Sequence, residues 1–334
     1  MIAMAESVFD ITFAREVPEG DRDQIRALLA SCDAMPLQGP AQVACLVGGA
    51  NNRNYVVSDG QRRVVARIAN PAAERFAVDR VSATQGQRDA AAVGLAPQVL
   101  GAQLPEGHTL SEFLDGVTLR ESSLTDVGVV RAIGDTLARL HASETTMTRE
   151  FSAFRDVRKW AQLARDDGTE LPSDLDDLLA RCERVEAAVV AADLPRVFCH
   201  NDTVPQNFLY DGTTARLVDW DYAGVGWAAF ELASFAATAQ FGPELRAELT
   251  DAYCGGPTAA QEASLDALAF VAAMRELTWA LMATPVLKGM TTPPEGWSYE
   301  DYLADNLALA RRMAANPAFD QLLEQMSSEP GRSW

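Results

Sequence analysis

The sequence predicts an α+β chain in two parts: a small strand-rich part over residues 1–115 and a larger helical part over 116–334. Three observations predict it. Valine-rich runs separated by turn residues fill the first third, and apolar residues at helical spacing fill most of the remainder. Strands and helices do not alternate as βαβ units. The texture changes after Gly116, which puts the boundary near Asp115.

The elements follow in order. Residues 21–34 carry Ile25, Leu28 and Leu29 on one helical face. Residues 41–70 read as strand, glycine turn, strand, Asp59-Gly60 hairpin turn, strand, because Asp-Gly between two valine-rich runs favours a tight hairpin. Residues 78–93 read as a helix, and Val99–Leu100 and Thr109–Leu114 as short strands. Val130, Ile133, Leu137 and Leu140 mark a helix over 127–142, and 155–192 is helical again. Residues 196–221 return to strand and loop, and the chain from 228 onward is mostly helical and alanine-rich.

Composition limits the function. The 334 residues, 48% of them hydrophobic, suffice for two packed parts. A formal net charge of −19 argues against a nucleic-acid partner, which would need a basic face, and suits a cationic small molecule. The five cysteines form no CxxC pair, as expected of reduced thiols in a cytoplasmic protein. The N-terminal residues carry acids early and do not read as a signal peptide. No run of about 18 uncharged apolar residues occurs, so no membrane span is expected.

The chemistry concentrates in two motifs. His200-Asn201-Asp202 is followed by Asn207, and then by Leu217-Val218-Asp219-Trp220-Asp221. Protein kinases use H-R-D-x-x-x-x-N and a later aspartate, where the first aspartate accepts the substrate's hydroxyl proton and the asparagine and later aspartate hold magnesium. Phosphoryl transfer needs oxygen ligands for a hard cation and a carboxylate beside the attacking hydroxyl, and these residue types supply both. Gly212 lies in the polar turn between the two apolar runs, which brings both motifs to one edge of a small hairpin. A capping pair and a stray turn aspartate would not place five polar positions in this order.

His200-Asn201-Asp202 with Asp219-Trp220-Asp221-Tyr222-Ala223-Gly224 resembles the choline/ethanolamine kinase branch of the protein-kinase-like phosphotransferases, which include the aminoglycoside kinases. The resemblance implies a two-lobed kinase-like fold, with ATP and Mg²⁺ as cofactors. It makes Asp202 the base, His200 the brace of its loop, and Asn207 and Asp219 the metal ligands. It puts Asp221 near the metal or the substrate's cationic head. In the N-terminal part, Gly48, Gly49, Asn51 and Asn52 resemble the family's phosphate-binding glycine turn. Lys159 and Lys288 are the only lysines, so Arg67 in the third strand takes the place of the usual phosphate-binding cation. From Arg53 to Arg88, seven arginines face three acids, a local net charge of +4 that suits an anionic nucleotide. Ser111–Gly116, with Glu112 and Leu114, resembles the hinge whose backbone meets adenine.

One departure stands out. The family places a glutamate three residues after the helix-opening arginine, where this chain has Ala83, so either Gln87 partners Arg67 or Arg67 is left to the phosphates. For the acceptor, a quaternary ammonium is best held by aromatic faces and a carboxylate. Tyr222, Glu276 and Trp279 are the expected pocket residues, with Glu231 as a further acid. Such a mixed pocket should take choline or a related amino alcohol, with choline ahead of ethanolamine. The alternatives are a kinase of an aminoglycoside-like or thiamine-like hydroxyl compound, and a non-catalytic nucleotide-binding relative.

Overall fold

The computed structural model describes residues 10–32, 37–46, 52–72, 74–287 and 298–331. Gly48, Gly49 and Asn51 of the glycine turn, and Lys288, lie outside the described residues. The chain divides into two compact units, Met1–Asp115 and Gly116–Trp334.

Among the described residues, the first unit is a six-stranded sheet with two helices. Its strands are β1 (Ile11–Phe13), β2 (Ala41–Leu46), β3 (Arg53–Ser58), β4 (Arg63–Ile68), β5 (Val99–Gln103) and β6 (His108–Glu112), in the order β1-β2-β3-β4-β6-β5. Period-two alternation sets the faces. Val64, Ala66 and Ile68 turn inward from β4, while Arg63, Val65 and Arg67 lie on the other face. Ile25, Leu28 and Leu29 of helix α1 (Glu19–Ala30) join this core with Val43, Tyr55, Val57 and Leu110.

At the β3–β4 turn, Asp59 accepts backbone N–H bonds from Gln38, Gln61 and Arg62, which lowers its pKa to about 2. Gly60 sits there at φ +87°. The helix predicted over 21–34 spans Glu19–Ala30, and just past its end Ser31 Oγ donates to the Leu28 carbonyl. Buried Asp21 ties α1 to β3, accepting from Arg53 Nε (2.5 Å) and Nη2 (2.7 Å) and from the Tyr55 hydroxyl. Helix α2 (Arg80–Ala92) starts on an Asp79 cap, whose side chain accepts from Ser82 N at 2.7 Å.

The second unit is helical around two small strand pairings. Strand β7 (Val117–Thr118) is followed by α3 (Val127–His141), α4 (Ala153–Asp166) and α5 (Leu175–Ala191). The helices expected over 155–192 are α4 and α5, separated where Gly168 adopts φ +70° and Pro172 follows. Next come β8 (Arg196–Cys199), β9 (Phe208–Tyr210), β10 (Ala215–Leu217) and β11 (Gly224–Trp227). They form one sheet of order β10-β9-β7 and one β11-β8 pair. The chain finishes with α6 (Ala228–Thr238), α7 (Pro243–Cys254), α8 (Ala259–Leu287), α9 (Tyr299–Ala314) and α10 (Phe319–Met326).

The 29-residue α8 is the central helix, packed by α4, α5, α6, α9 and α10. It is long and apolar enough to cross a membrane, but 89% of its most apolar window is buried among its neighbours. Its apolarity is that of a helix covered on every side. Gly134 lets α3 approach α7 closely, since a Cβ there would lie 2.7 Å from the Leu249 carbonyl. All five cysteines are free thiols.

Candidate active site

The site is built on the β8-to-β11 segment of the second unit. In the β9–β10 hairpin, Phe208 stands opposite Leu217 and Tyr210 opposite Ala215. The ladder continues one step further, where Val218 N donates to the Asn207 carbonyl at 2.9 Å. Asn207 and Asp219 therefore reach the same open end of the hairpin. The turn at the other end is closed by Asp211, which accepts from Thr213 N and Thr214 N, and by Gly212 at φ +99°.

His200 is fully buried and holds the loop from both ring nitrogens. Nε2 donates to the Val218 carbonyl at 2.9 Å, and Nδ1 accepts from Asp202 N at 3.3 Å. Those two partners select the Nε2–H tautomer. The ring thus joins the segment carrying Asp202 to the one carrying Asp219.

Asn201, at φ +65°, uses its Nδ2 to reach the carbonyls of Cys199 (3.3 Å), Tyr222 (3.1 Å) and Gly224 (3.3 Å). Its Oδ1 lies so close to Gly226 that any Cβ at 226 would collide with it.

Glu231 does not line an acceptor pocket, as the sequence suggested. It is fully buried and braces the loop from below, accepting from Asn201 N (2.5 Å) and His200 N (3.3 Å) and bonding His141 Nε2 at 2.6 Å. His141 Nδ1 continues to the Tyr253 hydroxyl at 2.8 Å. His141, Cys199 and Glu231 come close enough to hold a metal ion by distance alone, but hydrogen bonds within the loop already occupy Glu231. Phe230 and Phe235 of α6 are core residues.

Asp202 is oriented on both sides. Its Oδ2 accepts from Asn207 Nδ2 at 3.1 Å, and its Oδ1 faces Arg275 Nη1 at 3.3 Å. Asn207 Nδ2 also donates to the Asp202 carbonyl at 2.8 Å. Both amide hydrogens are engaged, so the Asn207 amide oxygen is left as a ligand. Together with the half-buried Asp219 carboxylate it forms an all-oxygen donor set, which fits Mg²⁺. Asp219 holds φ +62°, and Asp221 is buried, its carbonyl bonded by Arg149 Nη1 at 3.1 Å.

Arg275, which the sequence reading missed, lies between Asp202 and Glu276. It is 3% exposed, and Nη1 also faces Glu276 Oε1 at 3.2 Å. Burial raises the pKa of Glu276 even against the Arg275 charge. Glu276 Oε2 accepts from the Tyr302 hydroxyl at 2.5 Å, and Tyr302 meets Trp279 edge-on at 6.0 Å. Tyr302 thus touches both Glu276 and Trp279. Tyr222 is not available as an acceptor-binding face, because the Arg275 guanidinium covers its ring at 4.4 Å. The signal for Arg275 was a charged Arg-Glu pair within a long apolar helix.

In the first unit, Arg67 pairs across β4 with Asn54 and Thr109, and Asn52 Oδ1 accepts from Asn70 N at 3.2 Å. Gln87 Nε2 donates to the Pro97 carbonyl and to Ser111 Oγ, each at 3.0 Å. Its place is behind β6, where Glu112 pairs with Val64 and exposed Glu112 is followed by half-buried Leu114.

A phosphotransferase enzyme family model matches residues 43–268, and the chain belongs to that family. It is 26% identical over 211 residues to the protein LicA of Haemophilus influenzae, covering 62% of this chain and 61% of that one. It is likewise 26% identical over 216 residues to a probable ethanolamine kinase A of Dictyostelium discoideum, covering 60% and 61%. The chain thus spans about three-fifths of the length of both relatives. A crystal structure of a choline/ethanolamine kinase family protein from Mesorhizobium loti superposes with a TM-score of 0.76 at 22% identity, covering 92% of this chain and 99% of that one. The fold is protein-kinase-like, with a strand-rich N-terminal unit and a larger helical C-terminal one.

Proposed function

We propose that this chain is an ATP-dependent small-molecule kinase that transfers the γ-phosphoryl group to the hydroxyl of an amino alcohol such as choline or ethanolamine. The observation that carries the reading is Asp202, held by Asn207 on one carboxylate oxygen and by Arg275 on the other, beside an open amide oxygen and Asp219. In this reading Asp202 accepts the acceptor's hydroxyl proton as that oxygen bonds to the γ-phosphorus. The bond to the β,γ-bridging oxygen breaks and ADP leaves. Asn207 and Asp219 are the ligands for Mg²⁺, which supplies charge neutralisation on the phosphates when bound.

His200 and Glu231 keep the loop in shape while the proton moves. In the first unit, Arg67 and Asn52, with Gly48, Gly49 and Asn51, are the proposed phosphate contacts, and the backbone at Glu112 and Leu114 the adenine contact. Family membership and the similarity to an ethanolamine kinase support the acceptor class.

The test is ADP release from ATP and Mg²⁺ with choline, ethanolamine or an aminoglycoside as acceptor. Turnover of either amino alcohol supports the reading. Turnover of the aminoglycoside alone replaces the acceptor class, and no turnover with any of them favours a non-catalytic nucleotide binder.

A further inference from the structure

A cation of the chain itself already occupies a box of aromatic rings and carboxylates in the second unit. The Arg275 guanidinium carbon lies 4.4 Å from the ring centre of Tyr222, 5.1 Å from Trp160 and 5.5 Å from Phe151. Three carboxylates complete the box: Asp202 at 3.3 Å, Glu276 at 3.2 Å and, as an ion pair with Nε, Asp156 at 3.5 Å. Nε faces the Asp156 carboxylate at ion-pair distance, and Nη2 has no hydrogen-bond partner among the described residues, so ring faces surround that end of the guanidinium. Burial works against this charge, but Glu276, Asp202 and Asp156 outweigh it and the guanidinium stays protonated.

We propose that Arg275 is the positioning residue for Asp202 and the specificity determinant for the acceptor: it fills the aromatic box beside the base and so denies that box to a quaternary ammonium. The inference rests on the kinase reading above and goes beyond it. Among the described residues, Glu276 with Tyr302 and Trp279 stands beside Asp202 on the other side of Arg275. That face offers a carboxylate to N–H donors and a single edge-on aromatic pair to a methylated head. A primary ammonium carries three N–H donors, whereas a trimethylammonium carries none and depends on ring faces. The expected order is therefore ethanolamine ahead of choline, the reverse of the order expected from the sequence for a mixed pocket of Tyr222, Glu276 and Trp279.

Ethanolamine, its N-methyl and N,N-dimethyl derivatives and choline are compared on the wild-type chain at saturating ATP and Mg²⁺. kcat/KM is expected to fall along the series, by about tenfold overall, the equivalent of about 1.4 kcal/mol of lost recognition. Choline at or above ethanolamine overturns the inference and leaves the kinase reading standing. No ADP from any of the four overturns the amino-alcohol reading, and this inference with it. The positioning role is tested in parallel. Arg275→Met is expected to lower kcat about a hundredfold with the KM for ATP within a few-fold, and Arg275→Lys to recover at least about tenfold of that loss. Should Arg275→Met not fold, Arg275→Lys against wild type carries this arm, with a reduced kcat and an unchanged KM for ATP expected. An unchanged kcat in Arg275→Met, or in Arg275→Lys when Met does not fold, rules out positioning.

Discussion

Asn207 gives both hydrogens of its side-chain amide to Asp202, one to the backbone carbonyl at 2.8 Å and one to the carboxylate at 3.1 Å. One residue thereby fixes the proposed base and, with its remaining oxygen, offers itself to a metal. Replacing Asn207 by alanine removes both functions together. Replacing Asp202 separates them.

Asp202→Asn is expected to lower kcat at least about a thousandfold while leaving ATP affinity within a few-fold, because the carboxylate acts on the acceptor. Steady-state ADP release and nucleotide titration on the same preparation check it. A kcat within about tenfold of wild type means that another group takes the proton.

Asp219→Ala addresses the metal. Wild-type protein is expected to gain more thermal stability from ATP with Mg²⁺ than from either alone, since a ligand that binds the native state stabilises it. The variant is expected to lose the Mg²⁺-dependent part of that gain. An undiminished Mg²⁺ effect places the ligand elsewhere.

Glu231→Ala tests the brace. The substitution strands two buried loop N–H groups and removes the partner of His141. A loss of about 3 kcal/mol in urea unfolding is expected, with kcat lowered in the fraction that remains folded. A loss below about 1 kcal/mol shows that the loop holds its shape without the carboxylate.

The Asp21 cluster makes the first unit sensitive to acid. Burial opposes charge on Asp21, but the Arg53 and Tyr55 hydrogen bonds outweigh it and hold its pKa below the ordinary 3.8. The native state then binds fewer protons than the unfolded chain across that interval. The stabilisation is fully present above 3.8 and is lost as pH falls through the lower folded-state value. Wild type is expected to melt above Asp21→Asn near neutrality, with the gap closing below pH 3.8. A gap constant down to pH 2 rules the charge out as its source.

Elements that repeat a physical signal over many residues were legible in the sequence. The β3–β4 hairpin came from Asp59-Gly60, and α3 from the spacing of Val130, Ile133, Leu137 and Leu140. The order of polar residues from His200 to Asp219 brought Asn207 and Asp219 to one hairpin end, and the register agrees. Strands β1, β7 and β11 span only two to four residues and exist through pairing with distant partners, so no local pattern announced them. Glu231 read as an acceptor-pocket acid because sequence shows charge and not burial. Arg275 escaped notice because its role depends on Tyr222, Trp160 and Phe151, which only tertiary packing gathers.

The close approach of Asn201 to Gly226 couples two positions across the β8–β11 pair. With asparagine at 201, any side chain at 226 is blocked. Glycine at 201 would vacate that volume, yet would also surrender three anchoring bonds to the carbonyls behind it. Drift is therefore constrained to an order: 226 becomes mutable only after 201 shrinks, and 201 cannot regain its amide once 226 has grown. Saturation libraries at both positions, selected for folded protein, should return a checkerboard in which the identity at one site dictates the alphabet at the other.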